Sequence, residues 1–188
     1  KLLPTPTFSI STSSLDKELK IQIQTVDELN NKTNSKTSNV SILYTDLSSS
    51  HWAFSSVKYV SDKKWINGMT DGSFQPSNPL TRAEAAATLN RVIDLSKYSS
   101  ASKYKDVPKT NWAYTSISKI SNAKIMTGST STKFLPNSQI TRGEMAVILS
   151  RLLKEKTYTG KSMFTDVNNP KYFGYSSVLT MKNSGYFN

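Results

Sequence analysis

The sequence predicts a mainly helical fold of repeated helix–loop–helix units, and three observations predict it. The first is a period of sixty residues. Sliding the chain by sixty places Tyr44 on Tyr104, Asp46 on Asp106, Trp52-Ala53 on Trp112-Ala113 and Gly68 on Gly128. Between 44–95 and 104–155, seventeen of 52 positions are identical without a gap, the signature of a repeat architecture. The second is the pair Thr81/Glu84 and its copy Thr141/Glu144. A threonine followed three residues later by glutamate has the spacing of a capping box, in which each residue satisfies a backbone N–H at a helix start. The third is apolar spacing. Ala86, Leu89 and Ile93, and likewise Ala146, Leu149 and Leu153, recur at helical intervals behind those caps.

Each element follows in order. Residues 1–43 are rich in Ser, Thr, Asn and Lys and open with Pro4-Thr5-Pro6-Thr7. Ile21-Gln22-Ile23-Gln24 alternates like a strand, but one short strand cannot bury itself. The composition suits an extended linker or the tail of an upstream domain. The first repeat spans 44–103. Val57, Val60 and Trp65 mark one face of a short helix, Gly68 to Pro79 is rich in breakers, and a second helix starts behind Thr81. The second repeat, 104–163, has Ile117, Ile120 and Ile125 on the first face, breakers from Gly128 to Asn137, and a helix behind Thr141. The third, 164–188, opens with Phe164-Thr165-Asp166-Val167, and Tyr172 stands sixty residues after Trp112. One extra residue near Asn169-Pro170 then shifts the register, so that Ser176-Ser177-Val178 matches Ser55-Ser56-Val57. The sequence reaches Asn188 before a second helix begins, so the third repeat reads as incomplete.

Composition narrows the function classes. No apolar run approaches the length of a membrane-spanning helix, so membrane insertion is not expected. Lys1 to Thr7 lack the apolar centre of a leader and no methionine opens the chain, which reads as a processed or excised piece. Cysteine is absent, which removes thiolate metal sites and cysteine nucleophiles. The net charge is +11. Residues 1–43 hold five lysines against four carboxylates, so about ten of those charges lie in 44–188. A basic surface implies an anionic partner. Nucleic acid would call for a basic stripe interleaved with aromatics, whereas these basic residues form no run. The single histidine, His51, stands beside Trp52 without clustered carboxylates and is a poor metal or base candidate. No phosphate loop, nucleophile elbow or metal-ligand spacing occurs, so neither catalysis nor a cofactor is expected.

Four separated elements in order carry a resemblance: an aromatic-x-Asp, a Trp-Ala pair, Gly68-Met69-Thr70-Asp71-Gly72-Ser73-Phe74-Gln75-Pro76, and Leu80-Thr81-Arg82-Ala83-Glu84. Together they resemble an S-layer-homology repeat. The match covers 44–95 fully, 104–153 well, and 164–188 for its first half. The resemblance implies three repeats packed about a pseudo-threefold axis. It implies a secreted module, at the surface or in the S-layer of a bacterium, that anchors proteins to secondary cell-wall polysaccharide. Those polymers often bear a pyruvate ketal, and grooves between neighbouring repeats hold the sugar. Peptidoglycan is the other wall ligand to weigh. A structural S-layer subunit, self-associating through an open third repeat, is the alternative function.

The same resemblance implies site residues. Arg82 and Arg142 become carboxylate partners, and Gly68, Asp71 and Gly72, with Gly128, shape sugar-facing loops. The second loop lacks the Asp-Gly pair, and Gly143 replaces the usual alanine. Each assignment has a plainer counterpart. A cation just inside a helix N-terminus is electrostatically misplaced unless it faces an anion. That anion is either a ligand, helped by free N–H groups of the helix end, or a carboxylate of a neighbouring repeat such as Asp46 or Asp106. Glu84 and Glu144 are explained as caps, with ligand contact as the second role. Asp71-Gly72 is an ordinary turn dipeptide. Trp52 and Trp112 could stack on a sugar ring, but at the start of the first helix they suit a core wedge.

Overall fold

A computed structural model describes residues 43–187, together with the backbone of four short strands before them. β1 (Glu18–Ile21) pairs antiparallel with β4 (Ser38–Ser41), and β2 (Gln24–Val26) with β3 (Lys32–Asn34). The alternating segment is thus divided: Ile21 ends β1 and Gln24 begins β2, while residues 22–23 lie outside the described residues. Residues 1–17 of the expected linker also lie outside them. The chain forms two compact units, 1–77 and 78–188, so the boundary cuts the first repeat between its two helices.

In the first unit, α1 (Phe54–Asp62) is the first helix of the first repeat. It stops where Lys64 takes a left-handed φ of 57°, and the copy of that residue, Lys124, does the same at 58°. Trp65 and Ile125, read from the sequence as parts of the first helices, therefore lie just beyond them. The Tyr44 hydroxyl bonds Ser61 at 2.8 Å, and its ring lies against Gly68, where any Cβ would collide with it. Asp46 accepts the N–H groups of Phe74 and Gln75, both at 2.7 Å. The aromatic-x-Asp element is thus a fastener that holds the breaker-rich loop to α1. Asp71 accepts from Ser73 N–H at 2.9 Å, and Gly72 has a φ of 82°, so this pair builds a tight turn.

The second unit holds α2 (Arg82–Val92), α3 (Tyr114–Asn122), α4 (Arg142–Leu153) and α5 (Tyr175–Asn183). Both capping boxes are formed as the spacing predicts, Thr81 with Glu84 and Thr141 with Glu144. The helices pair across repeats. α2 packs on α3 and α4 on α5, so each second helix covers the first helix of the following repeat. Small residues make the first pairing close: Ala83, Ala85 and Ala86 are buried with Ile117, Ile120, Met126 and Phe134 in the main core. A smaller cluster joins Ala146 to Val178 and Met181.

The tryptophans overturn the expectation of a core wedge. Trp52 is 88 % exposed and Trp112 is 65 % exposed. The buried member of the second Trp-Ala pair is Ala113, because the turn entering the helix points the two side chains in opposite directions. In the third repeat the register shift precedes this turn. Tyr175 N–H bonds Tyr172 O as Phe54 bonds His51 and Tyr114 bonds Asn111. The residue standing in the place of Trp112 is therefore Phe173, not Tyr172, and it is 67 % exposed.

Candidate functional site

The loop 127–136 of the second repeat is the framework of the site. Tyr104 accepts from Gly128 N–H at 2.7 Å and bonds Ser121 at 2.7 Å through the same hydroxyl. A Cβ on Gly128 would strike the Tyr104 ring and the Lys133 carbonyl, so only glycine permits this approach. Asp106 accepts from the N–H groups of Phe134 at 2.9 Å and Leu135 at 2.8 Å. Leu135 is held with a φ of 60°. Partial burial pushes the Asp106 carboxyl up, but the two N–H groups and nearby Lys133 outweigh it and hold its pKa below the usual value. Asp46 is likewise held low, chiefly by Phe74 N–H.

The start of α2 docks onto this loop. Arg82 N–H donates to Ser138 O at 2.9 Å, Ala83 N–H to Pro136 O at 2.9 Å, and Glu84 N–H to Thr81 Oγ1 at 3.2 Å. The first three donors of the helix, which ordinarily seek water or a ligand, are thus taken by protein. The Arg82 side chain follows them. Its Nε donates to Phe134 O at 2.9 Å, Nη1 to Glu144 Oε1 at 2.8 Å and Nη2 to Thr127 O at 2.7 Å. The guanidinium also lies 4.9 Å over the Phe134 ring, and the residue is only 5 % exposed. Of the two alternatives for Arg82, the carboxylate of a neighbouring repeat is what it meets, but that carboxylate is Glu144 rather than Asp46 or Asp106. Glu144 serves two helices, since its other oxygen accepts from Thr141 N–H at 2.9 Å and closes the cap of α4.

A groove of about 330 Å³ opens beside this pair. Arg82 comes from the first repeat, Thr127, Gly128 and Ser129 from the loop of the second, Glu144 and Arg151 from α4, and Phe173 from the third. Its floor is the apolar face made by Met126, Val147 and Ile148. Three of the residues singled out in the sequence, Arg82, Gly128 and Glu144, therefore meet here. Arg142, Glu84 and Trp112 do not line it. Arg142 is exposed, with its guanidinium 5.7 Å over the Phe187 ring. Glu84 accepts from Thr81 as a cap. Gly68, Asp71, Gly72 and Trp52 belong to the other unit.

Among the lining residues that escaped the sequence reading are Arg151 and Phe173. Arg151 carried a signal, because Arg91 stands sixty residues before it. Phe173 was hidden by the one-residue shift. Among the described residues no group of three or more His, Cys, Asp or Glu side chains is arranged to hold a metal ion.

Comparison with known proteins agrees with this architecture. The family model described as S-layer homology domain matches residues 43–86 and 103–146. An endoglucanase of Bacillus sp. (strain KSM-635) is 34 % identical over 73 % of this chain and 14 % of its own length. A cellulosome-anchoring protein of Acetivibrio thermocellus is 31 % identical over 77 % of this chain and 33 % of its own. The S-layer protein EA1 of Bacillus anthracis is 30 % identical over 56 % of this chain and 12 % of its own. The chain thus spans at most a third of the length of these relatives.

Proposed function

The chain belongs to the S-layer homology domain family through two repeats, which places it at the bacterial cell surface, and on that premise we propose that it anchors a surface protein to the cell wall without a covalent bond. The ligand is an anionic secondary polysaccharide, with a pyruvate ketal as the charged group, held in the groove between repeats. Arg82, Gly128 and Glu144 form the wall of that groove, and the same two repeats present Arg142, Glu84, Trp52, Trp112 and the turn of Gly68, Asp71 and Gly72 to further wall contacts. The module binds and does not catalyse. Its best-placed carboxylates are occupied in fastening loops and capping helices, as Asp106 and Glu144 illustrate.

The observation that carries the reading is the groove itself. It draws residues from three repeats, has the size of a small-ligand cleft, and combines an apolar floor with polar backbone and arginine at its rim. A positive surface, +11 over the chain, raises the encounter rate with an anionic polymer. The test is binding to purified sacculi before and after chemical removal of the secondary polysaccharide. Binding is expected to vanish on stripping. Equal binding to stripped sacculi would transfer the ligand to peptidoglycan and overturn the assignment.

A further inference from the structure

We propose that β1 (Glu18–Ile21) is a self-pairing edge, where two copies of the chain join antiparallel with Leu19 on the two-fold axis and Glu18 opposite Lys20 of the second copy. This goes beyond anchoring to the wall, because it gives the module a protein partner, a second copy of itself.

Backbone pairing leaves β1 with an open side. Among the described residues it pairs with β4 alone, and β2 with β3 alone, so each sheet has two strands. A sheet of two strands is marginal in water, and independent stability calls for three or more with an apolar face. An unpaired edge also presents a row of N–H and C=O groups that templates a further strand. Proteins blunt such edges with proline or with an unmatched lysine. β1 contains no proline, and its lysine stands two residues from a glutamate of opposite sign. The other outer strand, Ser38-Asn39-Val40-Ser41, carries no charge that could fix a register.

Charge selects one register for two β1 strands. Directly opposed residues of opposite charge stabilise an antiparallel pair, and like charges destabilise it. With Leu19 opposite Leu19, Glu18 stands opposite Lys20 on both sides of the axis. An axis at Glu18 or at Lys20 sets two like charges against each other. An axis between Leu19 and Lys20 matches each charge with an apolar residue, Glu18 with Ile21 and Lys20 with Leu19. The apolar residues agree with the first register. Val40 is the cross-strand partner of Leu19, and cross-strand partners share a face. The joined sheet, β4-β1-β1-β4, therefore carries Val40, Leu19, Leu19 and Val40 in one row across four strands. A contact this small gives a weak dimer in solution. Copies held side by side on a wall meet at a high effective concentration, and a dimer that grips the wall with two modules gains avidity.

The test uses the full chain, which has no cysteine of its own, so an introduced one reports the pairing. Directly opposed strand residues lie within reach of a disulfide. Under mild oxidation Leu19→Cys should run as a covalent dimer on a non-reducing gel, while Ser38→Cys on β4 should stay monomeric. Sedimentation equilibrium of the wild-type chain over a wide concentration range should show monomer in exchange with dimer. Lys20→Glu sets like charges opposite each other at both pairs and should weaken the dimer about tenfold or more. Adding Glu18→Lys restores opposite charges in the same register and should recover it. Unchanged circular dichroism and melting temperature would show that the helical repeats stay folded. A wild-type chain that is monomeric throughout, a Leu19→Cys variant that links no better than Ser38→Cys, or a dimer indifferent to Lys20→Glu overturns the proposal. None of these outcomes bears on wall binding, which the sacculi test reads separately.

Discussion

The starts of α2 and α4 share one motif, Thr-Arg-x-Glu, and have opposite fates. At α2 the arginine is buried, its three nitrogens bond protein acceptors, and the first N–H groups of the helix close onto the 134–138 loop. At α4 the cap is equally well formed, yet Arg142 is exposed and rests on Phe187. The difference lies in what the following repeat supplies. Arg82 meets the 134–138 loop and Glu144 of the second repeat, whereas Arg142 meets the Phe187 ring of the third. The lesson is that the arginine of this motif becomes a rivet between repeats where the fold brings it the loop and glutamate of the next one, as at Arg82. The same residue type in the second motif, Arg142, is an exposed cation resting on Phe187.

The largest effect should come from Arg82→Ala. Removing one partner of a buried pair strands the other charge and two carbonyl acceptors, and a loss of about 3 kcal/mol is expected, toward the low end of such cases because Glu144 is partly exposed. Arg142→Ala should stay within about 0.5 kcal/mol, as surface changes do. Urea unfolding of both variants measures this, and equal losses would break the comparison. Next comes Glu144→Gln, which weakens the rivet and one cap together, against Glu84→Gln, which touches a cap alone. We expect about 2 kcal/mol for the first and about 1 kcal/mol or less for the second.

A smaller effect tests the third repeat. A Cβ at Gly143 would run into the Tyr172 hydroxyl, so the unusual glycine makes room for the chain that follows. Gly143→Ala should therefore fail to deliver the gain of about 1 kcal/mol that alanine ordinarily brings inside a helix. Adding Tyr172→Phe should recover it, and a double-mutant cycle by thermal unfolding reads the coupling.

Acid should affect both repeats alike and least. Asp46 and Asp106 are held below the value of 3.8 that they would have unfolded. As pH falls through about 4, the unfolded chain takes up protons first, so these groups stabilise fully above that range and lose their contribution below it. The melting temperature should be flat above about pH 5 and decline below about pH 4. Asp106→Asn should flatten that decline, and an unaltered slope would show that the loop fastener contributes nothing.

Much of this was legible in the chain because it is local. A capping box spans three residues, a helix face seven or eight, and a repeat announces itself by its period. The loop glycines were legible as special, but the reason was not: Gly68 and Gly128 are fixed by Tyr44 and Tyr104, 24 residues away in each copy. The tryptophans were misread because hydrophobicity alone favours burial, while the turn at the helix entry gives the inward direction to the neighbouring alanine. Phe173 was missed because a one-residue insertion moves every later side chain, and only the backbone bonds of the turn reveal its register.

By itself the sequence determined the repeat, its helices, their caps and the family, since each depends on residue types within a few turns of one another. Only the tertiary structure decided that Arg82 holds Glu144, 62 residues away, that the two neutralise each other, and that Arg151 is left as the groove's net charge. Identical motifs cannot reveal this, because a side chain's role is fixed by the acceptors the fold brings within three ångströms of it, and those belong to the next repeat.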